Sequence, residues 1–229
     1  DQRRAEIRQR GGEKILDVLV NGELFTAYHY AEDLKKPFLW PVNSEGGASL
    51  TRDWPMGEAD KSKDHPHHVS LWTAYGDVNG VDCWAAGGNS GFQKAENVTF
   101  GSGAAYGWIR SENVWQDKER ANVVRETREY RFYNTPASAR LLDTKVTFDA
   151  EYGDAFFKDT KEGGLVSVRM ADELCQRGGT GVITTATGAV GESDAWGKPA
   201  AWCDYSGTLE GVGERGLTVF DHPGNMRHP

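Results

Sequence analysis

Two consecutive runs in the middle of the chain alternate between apolar and polar residues with a period of two. The first covers residues 123–133, the second covers residues 141–148, and Asn134-Thr135-Pro136 supplies a turn between them. Successive side chains of a β-strand face opposite sides of the sheet, so two such runs joined by a turn predict an antiparallel hairpin. Helical periodicity is almost absent, and only residues 112–120 suggest one short helical turn. We therefore expect an all-β protein.

Further strand signals extend this pattern toward both ends. Asn21-Gly22 separates two short apolar runs within residues 14–30 and is a strong hairpin signal, because both residue types tolerate a positive φ. Many short strands without a βαβ rhythm favour an antiparallel β-sandwich. With 229 residues, one sandwich domain can account for the chain from residue 1 to residue 229. Additional strands are expected at residues 164–171, 180–187, 200–205 and 215–221.

The charge balance narrows the class of partner. The chain has 34 acidic and 26 basic residues and a formal net charge of -8, so phosphate backbones and anionic lipids are repelled. Its apolar runs are too short for a membrane span. We expect no nucleic-acid partner and no membrane span, whereas a small-molecule or oligosaccharide ligand is compatible with this surface. A periplasmic or secreted location is favoured over a cytoplasmic one, and the oligomeric state is not specified.

The aromatic residues indicate either a class of ligand or a type of core. The chain contains eight tryptophans and eight tyrosines, whose flat apolar rings carry a polar tip. Such rings can stack on the C–H faces of sugars while polar groups bind the hydroxyls. An aromatic-rich sandwich core explains any single one of these residues equally well.

The segment Asp64-His65-Pro66-His67-His68 concentrates three of the six histidines within four positions. In an extended segment, His65 and His67 would point to the same side and His68 to the other. Two imidazoles beside Asp64 can bind a divalent metal or act as an acid/base pair. The alternative is that the rings hydrogen-bond to loop backbone beside Trp72. No cofactor other than this possible divalent metal is indicated, and its predicted ligands are Asp64, His65 and His67.

Other segments could complete such a site. A second Asp-His-Pro tripeptide at 221–223 makes His222 a potential partner of the cluster. Glu162 precedes two glycines at a predicted strand entrance, where a carboxylate can reach a pocket rim. The residues predicted to act in catalysis are His67, His68, Glu162 and His222. The residues predicted to bind substrate are Arg52, Trp54, Trp72, Arg169, Trp202 and Asp204.

An ordered series of motifs resembles a known family. The motifs are Lys36-Pro37-Phe38-Leu39-Trp40-Pro41-Val42, Thr51-Arg52-Asp53-Trp54-Pro55, Asp64 to His68, Asp77-Val78-Asn79-Gly80, Asp159 to Gly164, Trp202 to Gly207 and Asp221-His222-Pro223. From about residue 15 onward the chain is similar to the bacterial family labelled "methane oxygenase PmoA". The resemblance implies a β-supersandwich of the galactose-mutarotase type, a role beside sugar-degrading enzymes, and a domain that continues beyond residue 229. The sequence does not fit the literal meaning of that label, because the membrane methane oxygenase subunit is a bundle of apolar helices and this sequence predicts none.

Three functions follow as hypotheses from these observations. The first is a carbohydrate-active enzyme, a hydrolase, lyase or epimerase, that acts on a glycoside or an oxidised sugar through a histidine-centred pocket. The second is a non-catalytic carbohydrate-binding module that uses the aromatic loops. The third is a metal-dependent oxygenase, as the family label suggests. Fold alone does not choose among them.

Overall fold

The computed structural model describes residues 4–136, 138–161 and 164–229. Strands account for 44% of the residues and helices for 4%. Within the described ranges the only α-helix is the short α1 (Glu192–Ala195), beside two single 3₁₀ turns at Glu45–Gly47 and Asp172–Leu174. The strands are β1 (Ala5–Gln9), β2 (Ile15–Val20), β3 (Glu23–His29), β4 (Phe38–Val42), β5 (Leu71–Thr73), β6 (Phe92–Gly101), β7 (Tyr106–Gln116), β8 (Asn122–Tyr133), β9 (Leu142–Asp149), β10 (Val166–Val168), β11 (Val182–Thr185), β12 (Trp202–Leu209) and β13 (Gly213–Phe220).

These strands form three antiparallel sheets. A six-stranded sheet has the order β1-β2-β3-β4-β5-β10, a four-stranded sheet has the order β6-β7-β8-β9, and a three-stranded sheet has the order β11-β12-β13. The predicted all-β antiparallel sandwich is thereby confirmed. Among the described residues, no helix is long and apolar enough to cross a membrane.

The main core lies between the six-stranded and four-stranded sheets. Leu16, Val18 and Tyr28 of the larger sheet pack in one cluster with Ile109 and Phe132 of the smaller sheet. Strand β2 alternates between buried and half-buried positions, as its period-two sequence requires. A second cluster of Leu50, Met170, Leu174 and Leu209 lies beneath the three-stranded sheet.

Both predicted hairpins are present. Strands β8 and β9 pair in register across the turn at residues 134–136, with Arg131 opposite Asp143. Asn21 and Gly22 connect β2 to β3 with φ values of 54° and 84°, the left-handed conformation that this dipeptide adopts most easily.

The short helix expected at residues 112–120 is wrong, because β7 runs through to Gln116. Strands β6 and β7 were also not predicted. The inward positions of β7 include Ser111 and Asn113, which are fully buried although polar. Their presence hides the apolar alternation that would mark a half-buried strand.

Those polar residues lie beside a buried ion pair on β8. Glu126 and Arg128 have no solvent-exposed side-chain surface and contact each other through Nε and Oε1 at 2.6 Å. Glu126 also accepts a bond from Trp115 Nε1 at 2.6 Å, and Arg128 donates to Gln93 Oε1 at 2.9 Å. Gln93 in turn donates to the carbonyl of Thr73 at 2.9 Å. The network thus ties the four-stranded sheet to β5, which lies next to the candidate site.

Candidate active site at the histidine turn

Residues 64–68, the histidine turn, form a tight turn and not the extended segment that the sequence suggested. His65 has a φ of 43°, and His68 donates its backbone N–H to the carbonyl of His65 at 3.0 Å. Pro66 suits the second position of such a turn because its ring fixes φ. The turn brings all three rings together, so His68 does not point away from the other two as expected. His65 and His68 stack at 4.9 Å with an interplanar angle of 12°, while His67 meets His68 edge-on at 4.5 Å.

Arg52 stabilises the histidine turn through hydrogen bonds from its side chain. Its side chain is fully buried and donates to Asp64 Oδ1 at 2.6 Å and to the carbonyls of His65 and His68 at 2.8 and 3.3 Å. The backbone N–H of Arg52 donates to the carbonyl of Arg169 at 2.9 Å, which places the two arginines on adjacent extended segments. One guanidinium therefore fixes both ends of the turn, a task that its planar set of five N–H donors suits.

Asp64 and His65 form a hydrogen-bonded pair at the surface. His65 Nδ1 lies 2.9 Å from Asp64 Oδ2, and the two side chains are 54% and 46% exposed. Arg169 and Ser62 donate to the other carboxylate oxygen, both at 3.0 Å. Burial alone would raise the pKa of Asp64, but the hydrogen bonds from His65 and Ser62 and the charges of the arginines outweigh it and lower that pKa. Asp64 is thus an ionised acceptor for the Nδ1–H of His65, and Nε2 has no protein partner within the described ranges.

His68 is less exposed than His65 and packs on the indole rings of Trp72 and Trp84, here called the indole floor. Its ring stacks on Trp72 at 5.2 Å and meets Trp84 edge-on at 5.7 Å. Burial, followed by the positive charges of the neighbouring histidines and arginines, lowers the pKa of His68 to about 3. His68 is consequently neutral near pH 7 and serves as a flat support for His65.

Lys36 contacts both residues of the indole floor from inside the protein. Its side chain is 3% exposed, and its ammonium donates to the carbonyl of Trp84 and lies 6.0 Å from the Trp72 ring. Burial lowers the pKa of Lys36 to about 8. Trp72 is itself only 2% exposed, so it positions His68 and offers no open face to a ligand.

A family model described as "Family of unknown function (DUF6807)" matches residues 15–229. The chain belongs to that family. No curated protein and no solved structure matches it. The resemblance to the family labelled "methane oxygenase PmoA" and to galactose-mutarotase-type supersandwiches stays a prediction.

The structure of this DUF6807 protein gathers seven of the predicted site residues. They come from three segments that are far apart in the sequence, since Asp64 and Arg169 are separated by 105 positions. Trp54 lies in the same loop as Arg52, with Lys63 Nζ 4.6 Å above its ring. The seven residues are Arg52, Asp64, His65, His67, His68, Trp72 and Arg169.

Three predicted residues lie elsewhere in the DUF6807 fold. Trp202 and Asp204 belong to β12, where Asp204 Oδ1 accepts a bond from Thr218 at 2.6 Å. His222 is exposed and its Nδ1 accepts the N–H of Gly224 at 3.0 Å. No hydrogen bond or ring contact between described residues joins these three to the histidine turn, so their catalytic or binding roles remain predictions. Glu162 lies outside the described residues.

The predicted metal ligands do not assemble into a donor set. Nδ1 of His65 faces Asp64, and among the residues that the structure describes no group of three or more His, Cys, Asp or Glu side chains could hold a metal ion. Asp64 already accepts bonds from two arginines at 2.6 and 3.0 Å. The described part of the site does not fit a divalent metal, and no chemical step is derived through one.

Sequence reasoning left His65 open between metal binding and an acid/base pair with His67, and it missed two contributions to this site. The hydrogen bond to Asp64 is what distinguishes His65 from the other two rings. Lys36 and Trp84 were not considered, although Trp84 belongs to the indole floor and Lys36 contacts it. Only the adjacency of Asp64 and His65 could have signalled their pairing. Nothing in the local pattern around Lys36 indicates that it is buried.

Proposed function

We propose that this protein is a carbohydrate-active enzyme, a hydrolase, lyase or epimerase, that acts on a glycoside or an oxidised sugar at the histidine turn. The contact that carries the proposal is the 2.9 Å separation of His65 Nδ1 from Asp64 Oδ2, with the imidazole half exposed. A carboxylate on one ring nitrogen fixes the tautomer and leaves the other nitrogen to exchange protons with a substrate.

In this proposal, His65 Nε2 is the acid/base atom. As a base in hydrolysis, it takes a proton from the water that attacks the glycosidic carbon, while the glycosidic C–O bond breaks and the departing oxygen takes a proton from solvent. In a lyase or epimerase it takes the proton from the carbon next to a sugar carbonyl; the departing oxygen of the lyase then takes the proton from the imidazolium, whereas the epimerised carbon takes one from solvent on its opposite face. Asp64 stays ionised and stabilises the imidazolium that forms, because its hydrogen bonds and the nearby arginines keep its pKa low. Neutral His68 lies against the other face of His65 and fixes the ring plane.

Arg169 is the proposed anchor for oxygen atoms of the sugar. Its side chain is 26% exposed beside Asp64. A partly exposed guanidinium next to the acid/base pair can donate to a carbonyl, carboxylate or hydroxyl oxygen of a substrate. Arg52 is fully buried and acts by positioning the turn, not by touching the substrate.

A substrate screen with two variants tests the proposal. The panel consists of chromogenic glycosides, oligouronates and 3-keto-glucosides, with products followed by absorbance and mass spectrometry. His65→Gln is expected to lower kcat by about 10²–10⁴, the usual contribution of a positioned acid/base group. The melting temperature should stay near the wild-type value, because His65 is half exposed.

The matched control is His228→Gln. His228 also forms an Asp–His pair, with Nδ1 2.7 Å from Asp221 Oδ2, but it lies in the C-terminal turn. It should turn over substrate at the wild-type rate. Wild-type activity in His65→Gln would contradict the proposal. Saturable sugar binding without product would favour the non-catalytic module instead.

A further inference from the structure

The three-stranded sheet presents a separate polar face that points away from the core. Tyr205, Leu209 and Leu217 occupy the inner face, where they pack with the cluster around Leu50. Residues of the opposite parity therefore lie outside. The register of β12 and β13 pairs them across the outer face as Trp202 with Phe220, Asp204 with Thr218, Ser206 with Gly216, and Thr208 with Glu214.

A hollow of about 540 Å³ occupies this outer face. Its polar lining includes Thr180, Asp204, Ser206, Thr208, Glu214 and Thr218. A sheet with a side chain at every outward position would fill this space. Gly216 opposite Ser206 has no side chain, and a Cβ there would lie 2.7 Å from the Cβ of Ser206. The hollow is within the size range of small-ligand sites.

The polar groups of the hollow suit a ligand with many hydroxyls. Of the four hydroxyl groups in the lining, those of Thr180 and Thr218 bond within the protein. The hydroxyls of Ser206 and Thr208 bond no described residue, and a hydroxyl can both donate and accept. Thr218 donates to Asp204 Oδ1 at 2.6 Å, which orients that carboxylate. Carboxylates are strong acceptors for sugar hydroxyls.

The charge of the hollow selects against anionic ligands. Asp204 and Glu214 contribute two carboxylates, and Arg215 is the one cation among the lining residues. The chain as a whole carries a formal charge of -8. Phosphates, nucleic acids and uronic acids would therefore be repelled, whereas neutral ligands would not.

An aromatic pair lies at the end of the same face. Phe220 is 69% exposed and is the direct cross-strand neighbour of Trp202. Both lie one outward position beyond the pair of Asp204 and Thr218. Exposed apolar rings beside directional hydrogen-bonding groups match a pyranose, which has an apolar C–H face and polar hydroxyls.

We propose that the outer face of the three-stranded sheet is a second binding site, for a neutral glycan, with Phe220 as the stacking platform and Asp204 as a hydroxyl acceptor. This site is independent of the proposed chemistry at the histidine turn, since no hydrogen bond or ring contact between described residues joins the two. It gives a role to the motif at residues 202–207, which is not part of the proposed site at the histidine turn.

Isothermal titration with defined oligosaccharides tests this site. The probes are the hexasaccharides of cellulose, xylan, mannan and laminarin, with hexagalacturonate as the anionic comparison. At least one neutral probe should bind saturably, and hexagalacturonate should bind more weakly than the neutral probes. Phe220→Ala and Asp204→Ala should each weaken binding by about tenfold or more. Circular dichroism should show both variants folded, because both side chains lie on the outer face.

Controls distinguish this face from other surfaces. Trp196→Ala removes an aromatic residue that is 77% exposed in α1, and Trp108→Ala removes one that is 37% exposed on β7. Both should bind like the wild type. The titrations are also run with Phe220→Ala and Asp204→Ala combined with His65→Gln, which lacks the proposed acid/base group, so failure of the enzymatic proposal leaves this one testable. Binding lost only in Trp108→Ala would overturn it. Absence of saturable binding by every neutral probe would also overturn it, as would a dimer that Phe220→Ala dissociates.

Discussion

Burial divides the roles of three neighbouring imidazoles. His68 stacks between His65 and Trp72, and burial together with the surrounding positive charges lowers its pKa to about 3. His65 is 54% exposed and has a carboxylate partner. A group that must gain and lose protons near neutral pH needs solvent access and a partner that stabilises its charge. At the scale of single residues, His65 meets these conditions and His68 does not.

The lowered pKa of His68 predicts an acid-sensitive stability. Below pH 6.5 the unfolded chain binds a proton that the folded protein does not bind until about pH 3. The contribution of His68 is therefore fully present above pH 6.5 and is lost as the pH falls toward 3. His68→Phe keeps a stacking ring but cannot titrate. Its urea midpoint should fall less than that of the wild type between about pH 7 and pH 5, where histidine is the side chain that normally titrates.

A second half-buried histidine also contributes to that measurement. Burial also lowers the pKa of His29, which stacks on Phe38. His29 has the same sign of pH dependence, so His68→Phe should retain part of the slope. Identical slopes in the wild type and in His68→Phe would contradict the assignment of a half-buried, neutral His68.

At the scale of elements, strand β8 carries a buried ion pair into the centre of the sandwich. Glu126 and Arg128 are fully buried, and together they bond Trp115, Gln93 and the carbonyl of Pro37. The mutual attraction within a buried ion pair adds little net stability. Loss of one partner is strongly destabilising, because it leaves an uncompensated buried charge. Through Pro37 and Gln93, the pair also holds the strands β4 and β5 beneath the histidine turn.

A double-mutant cycle tests this arrangement. Arg128→Met leaves Glu126 as an uncompensated buried carboxylate and should lower the free energy of unfolding by about 3–5 kcal/mol. Adding Glu126→Gln removes the stranded charge, so the double variant should be more stable than Arg128→Met alone. Urea denaturation followed by tryptophan fluorescence measures both values. A double variant that is no more stable than Arg128→Met alone would contradict the account.

The strands differ in how visible they are from the sequence. Strands β8 and β9 were predictable because their period-two pattern is flanked by Asn134-Thr135-Pro136, and β2 and β3 because of Asn21-Gly22. Strand β7 was not, because its inward Ser111 and Asn113 are buried polar residues that bond each other. Local periodicity reports apolar burial and fails where a strand buries polar groups.

At the scale of the whole molecule, the candidate site depends on contacts that span much of the chain. Arg52, Asp64 and Arg169 meet because the bridge between Thr51 and Met170 brings two distant segments side by side. The sequence identified these residues individually by type and by motif. It could not show that Trp202 and Asp204 belong to a different face, because strand pairing and sheet packing decide which loops converge.

The central claim is that these distant segments hold Asp64 against His65, so that Nε2 of His65 is the atom that exchanges protons. A long-range ¹H–¹⁵N correlation spectrum at about pH 8.5, where an ordinary imidazole is neutral, reports which ring nitrogen carries the proton. The His65 signals are identified by their loss in His65→Gln. The account predicts that Nδ1 is protonated and Nε2 is bare. A His65 ring that carries its proton on Nε2 would contradict it.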